Sequence, residues 1–131
     1  MPFMSRAVTR GVRVEVESRY VPEKSNPDRN IYYFAYRVVI TNGGNETVQL
    51  LSRHWIITND MGREEEVKGP GVVGEQPILG PGASFEYTSH CPLDTPFGMM
   101  HGTYQMVTED GLKFEVEIAP FTLTREERIL H

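Results

Sequence analysis

Residues 31–41 read Ile31-Tyr32-Tyr33-Phe34-Ala35-Tyr36-Arg37-Val38-Val39-Ile40-Thr41, the densest apolar segment of this 131-residue chain. Aromatic and β-branched residues, which favour strands, recur at every second position: Tyr32, Phe34, Tyr36, Val38 and Ile40. Alternate residues of a strand project to the same face, and the opposite face is also partly apolar. The segment therefore predicts a central strand, fully buried on one side and partly buried on the other.

Further strands are predicted on both sides of this segment. Alternation of apolar and polar residues predicts them over 12–20, 84–88 and 112–118, and apolar content predicts them over 47–59 and 102–108. Strand 47–59 carries apolar residues on both faces, which a bulge near Ser52-Arg53 would explain. The charged run 63–67 is interpreted as a solvated edge strand, because its charges disfavour pairing with another chain.

Turn residues separate these strands. Asn42-Gly43-Gly44-Asn45 and the Asp110-Gly111 pair each predict a hairpin. Residues 68–77 and 90–98 are interpreted as two long irregular loops, because proline and glycine interrupt them. The last residues, 124–131, form a charged tail that could make a turn of helix or fray.

The pattern of seven to eight strands without a convincing helix predicts an all-β fold. We expect an antiparallel β-sandwich of the immunoglobulin or fibronectin type III kind, with a closed β-barrel as the alternative. The chain length fits one domain over residues 1–131, with the sandwich core at about 12–123.

Composition narrows the classes of function. The formal net charge is -5, from 13 basic and 18 acidic residues, which argues against nucleic acid as a partner. The start of the chain lacks the apolar region of a signal peptide, and no apolar run approaches the length of a membrane span. We therefore expect a soluble cytoplasmic protein without membrane insertion, as a monomer or weak homodimer.

Gly69, Gly71 and Gly74 spell the G-x-G-x-x-G pattern of dinucleotide-binding proteins. That pattern requires a following helix, which Pro77 and the Gly80-Pro81-Gly82 stretch exclude. Two interpretations remain. The stretch is either a connection that needs positive φ angles or a small anion-binding nest of backbone amides, formed by Lys68, Gly69, Gly71, Val72, Val73 and Gly74.

Side chains that could carry chemistry are sparse. His54, His90, His101 and Cys91 show no zinc-ligand spacing, and a strand would point His90 and Cys91 to opposite faces. Cys91 is interpreted as a partly buried thiol rather than a nucleophile paired with His101, and Trp55 as a core residue. We expect no catalytic residue, no metal site and no cofactor. If a divalent cation did bind, Asp60, Glu64 and Glu66 would be the first candidate ligands.

Several motifs resemble one known family. They are Arg53-His54-Trp55-Ile56-Ile57, Gly69-Pro70-Gly71-Val72-Val73-Gly74-Glu75-Gln76-Pro77, Phe85-Glu86-Tyr87-Thr88-Ser89, Cys91-Pro92-Leu93, Thr95-Pro96 and Gly102-Thr103-Tyr104-Gln105-Met106. Together they closely resemble the ApaG family over nearly the whole chain, from about Val12 to Leu123. Pro70 and His90 depart from the family pattern, and Pro70 removes one amide from the nest.

This resemblance implies a bacterial fibronectin type III-like sandwich linked to cobalt resistance and magnesium efflux. It also implies a domain shared with eukaryotic F-box and polymerase-interacting proteins, with no established catalytic activity. The family's proposed pyrophosphate site would fall on Gly69, Gly71 and Gly74. We therefore expect a non-enzymatic interaction module with an unidentified protein partner, and a pyrophosphate or nucleotide binder as the alternative. Candidate partner-binding residues are Arg53, His54, His90 and Phe97.

Overall fold

The structure is a computed structural model that describes residues 3–125, in which nine strands form two antiparallel sheets packed face to face. The strands are β1 (Phe3–Thr9), β2 (Val12–Tyr20), β3 (Tyr32–Asn42), β4 (Val48–Asn59), β5 (Glu64–Pro70), β6 (Ile78–Leu79), β7 (Ser84–Leu93), β8 (Phe97–Thr108) and β9 (Lys113–Thr124). The first sheet has the order β1-β2-β3-β7 and the second β5-β4-β8-β9, with β6 also paired to β4. This arrangement confirms the predicted sandwich rather than the barrel.

The core lies between the sheets and is centred on β3 and β4. Phe34, Val38 and Ile40 are fully buried on β3, which pairs with β2 and β7 as its central position predicts. Trp55 on β4 is 2% exposed, and its ring centroid lies 5.4 Å from that of Tyr36 on the other sheet. Trp55 is therefore a core residue, as expected.

Strand β1 was not predicted. Its apolar residues Met4 and Val8 are exposed, whereas the small residues Ser5 and Ala7 face inward with intermediate burial. This reverses the usual alternation of a half-buried strand, so the periodicity gave no signal. The described structure thus begins one strand before the expected core boundary at residue 12.

The hairpin predicted at Asn42-Gly43-Gly44-Asn45 is wrong. Strand β3 belongs to the first sheet and β4 to the second, so the chain crosses between sheets here. The buried side chain of Asn42 holds the crossing, because its Nδ2 donates to the carbonyl oxygens of Glu46 at 2.7 Å and Leu79 at 2.9 Å. Turn-forming residues specify a reversal of direction but not the sheet that the next strand joins.

The long irregular loop predicted over 90–98 is also wrong. Strand β7 continues through Pro92 to Leu93, and β8 starts at Phe97 after a connection of only three residues. Proline is tolerated in β7 because this strand lies at the edge of its sheet, where a missing N–H breaks no pairing on the free side.

Other predicted features are confirmed. Strands β8 and β9 form a hairpin around Asp110-Gly111, with Gly111 at φ 87°. The register of β4 against β8 shifts between Leu50 and Ser52, next to the predicted bulge. The edge strand expected over 63–67 is β5. Of the predicted tail, residues 126–131 lie outside the described residues, while Thr124 ends β9.

The two long sides of the sandwich differ. On one side Thr9 Oγ1 accepts a hydrogen bond from the Glu117 N–H at 3.1 Å, and Ser18 Oγ donates to the Thr122 carbonyl oxygen at 2.6 Å, so the edges of the sheets meet. On the other side lie the edge strands β5 and β7, each at the end of its sheet order. None of the helical turns within residues 3–125 is long and apolar enough to cross a membrane.

Candidate functional site

A groove runs along the open side of the sandwich between β5 and β7. It consists of two adjoining clefts, one of ≈ 340 Å³ and one of ≈ 520 Å³, which share Ile57, Glu65 and Pro92. The smaller cleft is also lined by Tyr36, Arg53, Trp55, Val67, Ser89, His90, Cys91 and Met100. The larger is also lined by Asn30, Ile31, Asn59, Arg63, Glu64, Leu93 and Asp94. We call this continuous surface the β5–β7 groove.

The floor of the β5–β7 groove is apolar and its walls are polar. Trp55, Ile57 and Met100 line the smaller cleft and are at most 9% exposed, so they belong to the core as well. Strand β5 contributes exposed carboxylates along one wall, and Ser89, His90 and Pro92 of β7 lie along the other. This combination of a buried apolar floor and a polar rim is typical of binding surfaces.

Arg53 lies at one end of the groove and ties β4 to the glycine loop. Its Nη1 donates to the carbonyl oxygens of Pro70 and Gly71, both at 3.0 Å. A Cβ at Gly69 would lie 3.0 Å from the Arg53 guanidinium nitrogens, so glycine at this position leaves room for the arginine. The first glycine of the motif is therefore explained by a close packing contact.

The rest of the glycine motif forms a tight turn that closes over the core. The Val72 N–H donates to the Glu75 carbonyl oxygen at 2.8 Å, and the Glu75 N–H donates back to Val72 at 2.9 Å. Val73 and Gly74 between them have φ angles of 43° and 82°, the positive values of a type I′ turn. Val72 is 0% exposed, so the turn places one apolar side chain in the core.

Gly71 positions this turn against the bulge of β4. Its N–H donates to the Leu51 carbonyl oxygen at 2.8 Å, and Gln76 Nε2 donates to the same oxygen at 2.8 Å. With φ at 60°, Gly71 adopts a conformation that favours glycine, and an added Cβ would lie 2.3 Å from the Glu75 carbonyl oxygen. The expected need for positive φ angles in this stretch is thus confirmed.

These hydrogen bonds bear on the anion-binding prediction. The amides of Gly71, Val72 and Glu75 already donate to backbone carbonyls, and a nest requires free successive N–H groups. Lys68 is exposed on β5 and pairs in register with His54. The pyrophosphate site stays a prediction, and the geometry of this turn weighs against it.

A cluster of hydroxyl and thiol groups lies behind the groove. The Tyr87 and Tyr104 hydroxyls share a short hydrogen bond between the two sheets, and burial raises the pKa of both. Burial also raises the pKa of Tyr36, whose hydroxyl is hydrogen-bonded to Ser89. Burial and the nearby Glu65 carboxylate raise the pKa of Cys91 to about 12. At neutral pH these groups are therefore uncharged, and Cys91 is a thiol rather than a nucleophilic thiolate.

The four predicted partner-binding residues are only partly brought together. Arg53 and His90 both line the β5–β7 groove, where the His90 ring also stacks on Tyr33 at a centroid distance of 5.4 Å. His54 points to the opposite face of β4, where its Nε2 lies 3.2 Å from Glu66 Oε2. Phe97 is 45% exposed at the start of β8, outside the groove lining.

The predicted metal-ligand residues are dispersed. His90 is exposed and Cys91 is buried, which confirms that they face opposite ways. Within residues 3–125 no group of three or more histidine, cysteine or acidic side chains is placed to hold a metal ion. Asp60, Glu64 and Glu66 are all exposed, and Glu66 contacts His54.

A family model described as the ApaG domain matches residues 22–108 of this chain. The chain belongs to the ApaG family. It is 58% identical over 120 residues to Protein ApaG of Bradyrhizobium diazoefficiens, which covers 92% of each chain. It is 54% identical to Protein ApaG of a Methylobacterium species over 98% of this chain and 100% of the relative.

The fold agrees with that of a solved relative. An ApaA protein from Bordetella pertussis superimposes with a TM-score of 0.86 at 55% identity, covering 89% of this chain and 95% of the other. The agreement extends over most of the chain, so the sandwich of this ApaG family member is the fold of its relatives.

Several groove residues were missed by sequence reasoning. Glu65, Ser89, Pro92 and Met100 lie on three different strands, and nothing local in their sequence marks them as neighbours. Only the pairing order, which places β5 and β7 at edges on the same side, brings them together. A usable signal was present in Glu65, because consecutive carboxylates already predicted an edge strand.

Proposed function

We propose that this ApaG family member is a non-enzymatic, cytoplasmic interaction module that binds a protein partner in the β5–β7 groove. The proposal rests on the asymmetry of the sandwich. On one side β1 and β2 are hydrogen-bonded to β9, whereas on the other side β5 and β7 are separated by the groove. Binding surfaces on rigid β scaffolds commonly use such edges and the loops beside them.

The chemistry of the groove supports binding better than catalysis. Its thiol has a raised pKa, and its inner tyrosine hydroxyls are buried and hydrogen-bonded, so neither the thiol nor these hydroxyls is activated as a nucleophile or general base. Its apolar floor and polar walls match the arrangement of a protein-binding site. We further propose that any effect on cobalt resistance or magnesium efflux passes through the bound partner.

Affinity capture with matched charge variants tests this proposal. Tagged protein is incubated with a bacterial lysate, and retained proteins are identified by mass spectrometry. Glu65→Lys and Pro92→Arg change exposed side chains in the part of the groove that both clefts share. We expect both variants to lose a protein that the unchanged chain retains, because Glu65→Lys reverses a charge on the contact surface and Pro92→Arg adds a charged and bulkier side chain there.

Glu109→Lys is the matched control. Glu109 is exposed in the β8–β9 hairpin and does not line the groove, so the same charge reversal should leave the retained protein in place. Equal loss with Glu65→Lys and Glu109→Lys would indicate an effect of net charge and contradict a groove site. Retention by all variants would contradict it as well. Fluorescence of Trp55, the single tryptophan, checks that each variant is folded.

A further inference from the structure

We propose that the occupant of the β5–β7 groove is an extended peptide segment of the partner, added as a strand to the free edge of β7. The segment carries an apolar side chain that enters the smaller cleft, with lysine or arginine beside it. This inference rests on the proposed function and names the kind of partner that the groove fits.

The free edge of β7 is long enough to hold a strand. The strand spans ten residues, Ser84–Leu93, and among the described residues it pairs only with β3. An edge strand presents unpaired N–H and C=O groups, and an added peptide strand gains affinity by pairing with them. Pro92 has no N–H to offer, so pairing should be confined to the stretch from Ser84 to Cys91.

The smaller cleft accounts for the apolar side chain. Alternate residues of an added strand point to the inner face of the sheet, which is the side where the cleft opens. The cleft of ≈ 340 Å³ is lined by Tyr36, Trp55 and Met100, all of them buried against the core. One apolar side chain inserted there would be surrounded by aromatic and thioether groups, as in other peptide-anchoring pockets.

The charges of the groove account for the basic side chains. Glu64, Glu65 and Asp94 line the larger cleft against one cation, Arg63. The other cation of the groove, Arg53, already donates to two carbonyl oxygens. The wall formed by β5 is therefore acidic, which favours lysine and arginine on the peptide and disfavours acidic segments.

Selection from displayed linear peptides of about nine residues, close to the length of β7, tests the inference. Enriched peptides should combine an apolar residue with lysine or arginine. Added to isotope-labelled protein, a synthetic copy of the most enriched peptide should shift amide resonances of β5 and β7. It should also slow hydrogen exchange at alternate amides between Ser84 and Cys91, because those amides gain new backbone partners.

Removing the negative charges of β5 tests whether they attract the basic side chains of the peptide. The double variant Glu64→Gln, Glu65→Gln should bind the selected basic peptide about fivefold more weakly, because exposed ion pairs contribute modestly. Glu109→Gln should leave its binding unchanged. Enrichment of acidic peptides, or no enrichment at all, would overturn the inference. Binding without slower exchange in β7 would overturn it too.

The two proposals fail in different ways. If Pro92→Arg abolishes partner capture but no linear peptide binds, the partner uses a folded surface; the peptide inference is then wrong while the groove remains the site. If a peptide binds at β7 and competes with the captured partner, both proposals hold. If neither the partner nor a peptide responds to Glu65→Lys, both are wrong.

Discussion

Substituting alanine for Gly71 should destabilise the fold far more than the same change at Gly74. An alanine at a φ of 60° costs about 1 kcal/mol in a left-handed conformation. Its Cβ would also lie 2.3 Å from the Glu75 carbonyl oxygen, so the turn must move by roughly 1 Å. That movement weakens the paired Val72 and Glu75 hydrogen bonds, at about 1 kcal/mol each. The expected loss for Gly71→Ala is therefore about 3 kcal/mol.

Gly74→Ala is the matched control for this substitution. Gly74 also has a positive φ, 82°, but an added Cβ would meet nothing within 4 Å, so only the conformational cost of about 1 kcal/mol applies. Urea unfolding followed by Trp55 fluorescence measures both, since Trp55 is 2% exposed and reports on the core. Equal losses at the two positions would refute the close contact of Gly71 with Glu75, as would a loss below about 1 kcal/mol at Gly71.

Three further predictions concern the groups behind the groove and the glycine loop. Tyr104→Phe leaves the buried Tyr87 hydroxyl without its partner and should cost about 2 kcal/mol in urea unfolding, while adding Tyr87→Phe should recover part of that loss. Cys91 should react slowly with a thiol reagent at pH 8 and at once when unfolded. Because its pKa rises from 9.0 to about 12 on folding, its contribution to stability should be complete below about pH 9 and be lost as the pH approaches 12. Pyrophosphate added to isotope-labelled protein should cause no saturable shift of the Gly71 or Gly74 amides below about 0.1 mM, because the Gly71 N–H already donates to the Leu51 carbonyl oxygen. Saturation below that concentration would support pyrophosphate or nucleotide binding by this loop.

Local periodicity was sufficient to predict most strands, because a half-buried strand shows its alternation in the sequence. The segments 12–20 and 31–41 became β2 and β3 within a residue or so, and Asp110-Gly111 correctly marked the hairpin between β8 and β9. Strand β1 could not be predicted, since its exposed face carries Met4 and Val8.

The pairing of strands depends on contacts far apart in the chain. The turn after Asn42 looked like a hairpin, yet the hydrogen bond from its side chain to Leu79, 37 residues away, directs the chain to the other sheet. Strand β7 tolerates Pro92 because no strand within residues 3–125 pairs on that side. Neither this hydrogen bond nor the free edge of β7 can be recognised from the sequence around Asn42 or Pro92.

The candidate site was likewise predicted only in part, because its residues come together through contacts distant in the sequence. Arg53 and His90 were predicted as binding residues, and both line the groove, but His54 and Phe97 do not. The glycine motif resembled a phosphate loop because it shares the need for positive φ with one. Its glycines accommodate Arg53 and a turn that buries Val72, which only the folded contacts reveal.

Photo-crosslinking from two exposed positions most directly tests the claim that the partner binds in the β5–β7 groove. It compares the groove with the glycine loop under the same conditions. One variant carries a crosslinking amino acid at His90 in the groove, and the other carries it at Glu75 in the glycine turn. The groove account predicts one dominant crosslinked protein from His90 and none of it from Glu75. The same protein crosslinked from Glu75 and not from His90 would contradict the account.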